Sequence, residues 1–272
     1  LYSDEPEKAI PAALSVETYH NHTLLHDDLM DGADLRRGRP TVFRKWDANT
    51  AILSGDTMLI LAFNLLLEGG YPNAAELLQL LARTAREVCE GQQYDMNFEQ
   101  RNDVTEAEYI EMIRLKTSVL LACALKMGAL VAGAPADQAD LLYHFGEQIG
   151  LAFQLQDDYL DVYGDPKVFG KKIGGDIICN KKTYMLINAF NKANARQRKE
   201  LEKWIGCENF NHEEKVAAVT ELYNSISVDK LAIERINYYF DEANKYIAAV
   251  NLPDERKAEL LAYAQKMLHR KW

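Results

Sequence analysis

At 272 residues and a formal net charge of −10, the chain can bury a substantial core, while its acidity argues against broad binding to nucleic acid or to an anionic membrane surface. Leu, Ala, Ile and Val abound, and Gly and Pro number only 15 and 7, which favours an all-α protein over a β-rich one. Cys89, Cys123, Cys179 and Cys207 are scattered with no C-x-x-C pair, no signal peptide opens the sequence, and no uncharged apolar run is as long as a membrane span. A reducing cytosol is the expected setting, without stable membrane insertion.

In chain order, the apolar "IPAALSVETYHNHTLL" leads straight into "LLHDDLMDGADLRRGRP", so a half-buried helix is expected to end in a cluster of carboxylates and arginines. "AAELLQLLARTAREVCEGQQYDMNF" places Leu77, Leu78, Leu81, Ala85 and Val88 at helical spacing, with Gly91 interrupting near the end. "EAEYIEMIRLKTSVLLACALKMGALVAGA" reads as one helix, with Thr105 as N-cap and Glu108 completing a capping box. "ADLLYHFGEQIGLAFQLQDDYLDVYG" follows, and the remaining segments, such as "DKLAIERINYYFDEANKYIAAV", are amphipathic. No alternating strands, hairpin dipeptides between β-rich runs, repeats or linkers break the pattern. One α-helical domain over residues 1–272 is the expectation.

Two motifs match. Asp27, Asp28 and Asp31 form D-D-x-x-D, and Asp157, Asp158 and Asp161 form another. In each, the first and last Asp are four apart and share one helix face, where like charges repel unless a cation sits between them. Hard oxygen ligands suit Mg²⁺, or Mn²⁺, and Mg²⁺ completes its shell with water and phosphate oxygens. Arg36 and Arg37 follow the first cluster, Lys116 stands beside Thr117, and Lys171, Lys172, Lys181 and Lys182 follow the second. Such cations are the usual partners of phosphate oxygens. Gly164, Gly170, Gly174 and Gly175 give the last stretch the look of a flexible lid.

With these residues in place the sequence resembles the trans-isoprenyl diphosphate synthases of the polyprenyl synthetase family. The likeness lies in "HNHTLLHDDLMDGADLRRGRPT", "ILSGD", "EGQQYDM", "RLKTSVLLACALKMGAL", "FQLQDDYLD" and the "FGKKIGGDI" to "NKKT" stretch, in the family order. It implies an all-α isoprenoid synthase fold, a helical bundle around a central cavity, and a homodimer. It further implies condensation of isopentenyl diphosphate with an allylic diphosphate (dimethylallyl, geranyl or farnesyl) in a cage of about three Mg²⁺ ions. By the same resemblance Asp27, Asp31 and Asp157 are the principal metal ligands, supported by Asp28, Asp158 and Asp161. Arg36, Lys116, Lys171 and Lys181 hold the allylic diphosphate; Arg37 and His20 contact isopentenyl diphosphate. Thr117 and Gln154 present oxygens to the developing cation, and Gln92 lines the cavity. His22, five residues before Asp27, and Tyr19, one turn deeper, form the floor of the tail pocket and point to short or medium products, from farnesyl to one isoprene unit beyond geranylgeranyl, centred on geranylgeranyl. The family's upstream Gly-Lys-x-x-Arg stretch has no match before Leu14 and is expected to precede Leu1.

Plainer readings exist for single residues. Lys116 alone is a snorkelling helix lysine; Gln154 alone is a satisfied core amide. Tyr19, His22 and Gln92 could be packing residues, and Lys172 and Lys182 solvent lysines, while His144, His212 and His269 are assigned to structure or surface. A class I terpene cyclase would lack the second D-D-x-x-D, and a di-iron bundle needs a second E-x-x-H beyond Glu17 to His20. An HD-type phosphohydrolase built on His26 and Asp27 leaves the second motif unexplained. Intact aspartates and lysines argue against an inactive regulatory subunit.

Overall fold

The structure, a computed structural model, describes residues 1–165 and 173–268. Its long helices are α1 (Ile10–Met30), α3 (Ala48–Glu68), α4 (Ala74–Glu99), α5 (Glu106–Ile113), α6 (Val119–Val131) and α7 (Ala136–Tyr163). α2 (Val42–Lys45) and α8 (Gly175–Ile178) are single turns, followed by α9 (Tyr184–Lys192), α10 (Ala195–Ile205), α11 (His212–Ile226), α12 (Val228–Ala249) and α13 (Asp254–Leu268). The all-α expectation holds. Among the described residues the one departure is a short hairpin, β1 (Leu35–Arg36) with β2 (Arg39–Pro40). Its two-residue loop has positive φ at both positions, 51° at Arg37 and 74° at Gly38, the turn whose twist suits adjacent antiparallel strands.

The chain divides into two compact units, Leu1–Ala85 with Cys123–Tyr143 and Arg86–Ala122 with His144–Trp272. In the first unit α1 packs along α3. Ala12, Ser15, Tyr19 and His22 recur at three- and four-residue spacing on the buried face of α1, and Ala51, Gly55, Ala62 and Leu66 at four- and seven-residue spacing on α3. Small residues let the backbones approach closely, and polar side chains of α1 then reach carbonyls of α3. The Ser15 hydroxyl donates to the Ala62 carbonyl at 2.7 Å, and His22 Nδ1 lies 2.9 Å from the Gly55 oxygen.

The opposite face of α3 is exposed and apolar, with Ile52, Leu53, Ile60, Leu61 and Leu67 on the surface. Among the described helices α3 alone is long and apolar enough to cross a membrane, and it is mostly unburied within this chain. Only Asp56, near its middle, kept it from reading as an uncharged span in the sequence.

In the second unit the core is built by α5, α7, α9, α11 and α12, with Tyr109, Met112, Phe145, Ile149, Leu155, Met185 and Tyr223 buried. The capping box at Thr105 and Glu108 starts α5 as expected, and Arg101 together with the Thr105 hydrogen bonds holds the Glu108 carboxyl down to about 2. The helix predicted to run on from α5 does so into α6, widening on the way into a π-helical turn at Arg114–Ser118. A wide turn of this kind marks functional sites more often than chance. Neighbouring helices approach it closely. A Cβ at Gly91 would sit 2.3 Å from the Lys116 nitrogen, and one at Gly150 would sit 2.6 Å from the Ser118 Cα. Two bare helix backbones therefore press on the turn from α4 and α7.

Candidate active site

In the first unit the acidic cluster closes α1. Asp27 and Asp31 are one turn apart, with the Asp31 amide bonded to the Asp27 carbonyl at 2.8 Å. Asp27 is half-buried and Asp31 is exposed. Asp28 points elsewhere and is buried. The hairpin brings Arg36 back over it, with Nε and Nη2 each 2.7 Å from Asp28 Oδ1 and Nη2 3.5 Å from Asp27 Oδ2. Burial raises the Asp28 pKa, and the Arg36 guanidinium opposes that rise. Arg36 thus holds part of the charge that the repelling aspartates require. Arg37 is exposed in the left-handed region at the hairpin tip, a strained backbone of the kind retained at functional positions. His20 is half-exposed and lies 3.7 Å from Glu17 on the same helix. Tyr19 and His22 are both buried, the Tyr19 hydroxyl donating to the Ala85 carbonyl at 3.3 Å.

In the second unit the π-turn carries Lys116 and Thr117. Lys116 Nζ is 2.6 Å from Asp95 on α4, both side chains being largely buried, a charge-assisted contact that fixes the ammonium. Gln92 is half-buried on α4, one residue past Gly91. The Thr117 hydroxyl donates to Gln154 Oε1 at 3.3 Å, and Gln154 Nε2 reaches Asp158 at 3.5 Å. The amide thereby has both ends occupied.

The three aspartates of the second motif have different surroundings. Asp157 is half-buried. Asp158 is buried, and its Oδ2 accepts the Tyr109 hydroxyl and the Tyr184 amide, the latter at 3.1 Å. Burial pushes its pKa up to about 7, with Asp176 adding to the rise and the Tyr109 and Tyr184 hydrogen bonds opposing it. Asp161 is also buried, and its Oδ2 accepts the Asp176 amide at 3.0 Å. Among the described residues no three His, Cys, Asp or Glu side chains converge into a ready metal cage. Mg²⁺ is seldom held by protein ligands alone and completes its shell with water and phosphate oxygens. Carboxylate oxygens flanked by Arg and Lys are a donor set suited to such an ion and its anionic ligand.

Lys181 is exposed, whereas Lys182 is half-buried with its pKa lowered by burial. Lys171, Lys172 and Gly170 lie outside the described residues, as does His269. Reasoning from sequence gave no role to three participants: Asp95, Tyr109 and Asp176, the last of which closes the G-K-x-x-G-x-D stretch behind the second aspartate motif. Asp95 lay within the quoted "EGQQYDM" but carried no assignment there, and a tyrosine two turns before Lys116 gives no chemical signal by itself.

The polyprenyl synthetase family model matches residues 1–223. A geranylgeranyl diphosphate synthase of Methanosarcina mazei is 40% identical over 97% of this chain and 79% of its own length. A (2E,6E)-farnesyl diphosphate synthase of Mycobacterium tuberculosis is 36% identical over 98% of this chain and 75% of its own. A crystal structure of a geranylgeranyl pyrophosphate synthase superposes with a TM-score of 0.93 at 44% identity, covering 98% of this chain and 82% of that one. The chain belongs to the polyprenyl synthetase family and has its all-α isoprenoid synthase fold.

Proposed function

We propose that this chain condenses isopentenyl diphosphate with an allylic diphosphate, releasing diphosphate and forming an all-trans prenyl diphosphate in the farnesyl to geranylgeranyl range. The observation that carries the reading is the paired aspartate motifs, each with cations on its own unit: Arg36 on Asp27 and Asp28, and Lys116, fixed by Asp95, beside Thr117. The names of the relatives support the substrate class and the length range.

In the first unit Asp27 and Asp31, backed by Asp28, would hold Mg²⁺; in the second Asp157 would, backed by Asp158 and Asp161. Mg²⁺ supplies charge that stabilises the diphosphate as its carbon–oxygen bond breaks. The residues do the rest. Arg36, Lys116, Lys171 and Lys181 bind the phosphate oxygens of the allylic substrate, and Arg37 and His20 take the isopentenyl diphosphate. Thr117 and Gln154 turn oxygens toward the carbon that becomes cationic, and Gln92 shapes the wall. Fixed cations and dipoles of this kind cost no reorganisation when charge develops. No protein nucleophile is required, and the departing diphosphate can take the proton that completes the new double bond.

The four cysteines are all free thiols, in keeping with a reducing cytosol. The exposed apolar face of α3 suits a second copy of the chain, giving a homodimer. Light scattering should read twice the chain mass, and Leu53→Glu with Ile60→Lys should return it to one.

Incubation with Mg²⁺, isopentenyl diphosphate and each allylic starter, followed by mass spectrometry, tests the function. A ladder of diphosphates ending at one length is expected. Asp27→Ala and Asp157→Ala should each lose most activity with the fold intact, and unchanged turnover in either variant refutes the metal assignment.

A further inference from the structure

Asp158 follows Asp157 on α7 and is therefore turned about 100° round the helix from it. It is 4% exposed, and the Tyr109 ring that meets it is 2% exposed. Three donors converge on the carboxylate: the Tyr109 hydroxyl, the Tyr184 amide at 3.1 Å and Gln154 Nε2 at 3.5 Å. A carboxylate offers about four lone-pair directions, so most of its accepting capacity is used inside the protein.

What it holds is the segment that bears Lys181. At the start of that segment the Gly174 amide donates to the Asp161 carbonyl at 2.6 Å and the Asp176 amide to the Asp161 side chain at 3.0 Å. At its end the Tyr184 amide donates to Asp158. Between them the Lys181 amide donates to the Asp176 carbonyl at 2.9 Å and the Thr183 amide to the Lys181 carbonyl at 2.9 Å. The backbone of Lys181 is thus suspended from the two rear aspartates of the second motif.

We infer that Tyr109 is a positioning residue: its hydroxyl fixes Asp158 as the acceptor for the Tyr184 amide and so sets the backbone that aims Lys181, which makes Asp158 a scaffold carboxylate and not a direct metal ligand. Tyr109 acts through α5, which packs on α9, so the hydrogen bond joins a core helix to the helix start that follows Lys181. The inference rests on the reading of Lys181 as a ligand of the allylic diphosphate.

Tyr109→Phe removes one buried oxygen and keeps the ring. Hydrogen exchange on the metal-free protein should show faster exchange at the amides of 181–184 than in the parent. Steady-state kinetics should show the KM for the allylic diphosphate raised by about tenfold, with the half-saturating Mg²⁺ concentration within about twofold of the parent. Asp158→Asn should follow the same pattern and serves as the second variant. Parent-like exchange and KM in both would overturn the inference. So would a shifted Mg²⁺ half-saturation with unchanged allylic KM, the signature of a direct ligand. If the parent elongates no allylic diphosphate, the proposed function fails, and the exchange measurement still decides whether Tyr109 fixes the segment.

Discussion

Gly91 presents bare backbone to Lys116: a Cβ at Gly91 would lie 2.3 Å from the Lys116 nitrogen and 2.8 Å from its Cα. The obstruction is backbone, so it cannot swing aside as a side chain can. Gly91→Ala should force α4 away from the π-turn at a cost of about 1–3 kcal/mol, typical of overpacking. The same shift should pull Asp95 from the Lys116 ammonium, because both glycine and aspartate lie on α4. A lower thermal midpoint together with a raised KM for the allylic substrate is expected. A variant matching the parent in both would show that the close approach is not needed.

The α1 and α3 pair carries a pH dependence. Burial lowers the His22 pKa, with the neighbouring His26 adding to the effect, while the Gly55 carbonyl and Asp56 oppose it. A histidine with a folded pKa below its unfolded value binds fewer protons folded than unfolded near that range. Stability from this source is therefore complete above the unfolded value of about 6.5 and falls as acid is added below it. Urea midpoints should be flat above about pH 7 and decline toward pH 5.5. His22→Gln should shrink that decline, and an equal decline in the variant would assign it to other groups.

Lys215 on α11 is a buried ammonium, 1% exposed, bonded to Asn180 Oδ1 at 2.8 Å and the Ile178 carbonyl at 3.3 Å, with the Phe210 ring 4.1 Å away. Burial lowers its pKa. Asn180 has a φ of 54°, so the lysine pins a left-handed turn directly before Lys181. Lys215→Met keeps the stem and removes the donors, which should cost about 1 kcal/mol by leaving two part-buried acceptors to find other partners. Calorimetry reads that loss, and an unchanged midpoint would mean the turn holds without it.

The helices were legible because their cues are local. Thr105 and Glu108 announce a cap within four residues, and Leu77, Leu81 and Val88 announce a buried stripe. The aspartate motifs were legible for the same reason, since like charges one turn apart call for a cation wherever they occur. What escaped depends on contacts between distant segments. The π-turn lies in close contact with Gly91 and Gly150, residues far from it in sequence. Asp158 and Asp161 repeat the spacing of Asp28 and Asp31, yet their partners Tyr109, Tyr184 and Asp176 come from other parts of the chain. Spacing told which residues share a helix face, but not which face meets solvent. The same limit applies to Lys181 and Lys182, adjacent residues of one type whose burial is decided by tertiary packing.

Product length offers the last test. His22 is 7% exposed, with Tyr19 and His26 rings at centroid distances of 5.6 Å and 4.6 Å along the same side of α1. Its Nδ1 meets the Gly55 carbonyl, and a Cβ at Gly55 would strike the His26 ring, so the imidazoles occupy the space between the helices at Gly55. His22→Ala empties part of that gap without orphaning a helix carbonyl, since the Gly55 oxygen belongs to the α3 interior. The expected cost is about 2–3 kcal/mol in stability, leaving a folded enzyme. If the tail of the growing chain ends against this wall, the product should lengthen by one or more isoprene units, read as a mass shift in the final diphosphate. Tyr19→Ala, one turn deeper, should lengthen it further when added to His22→Ala. An identical product distribution in both variants would make the pair packing residues of α1 alone and move the length determinant elsewhere.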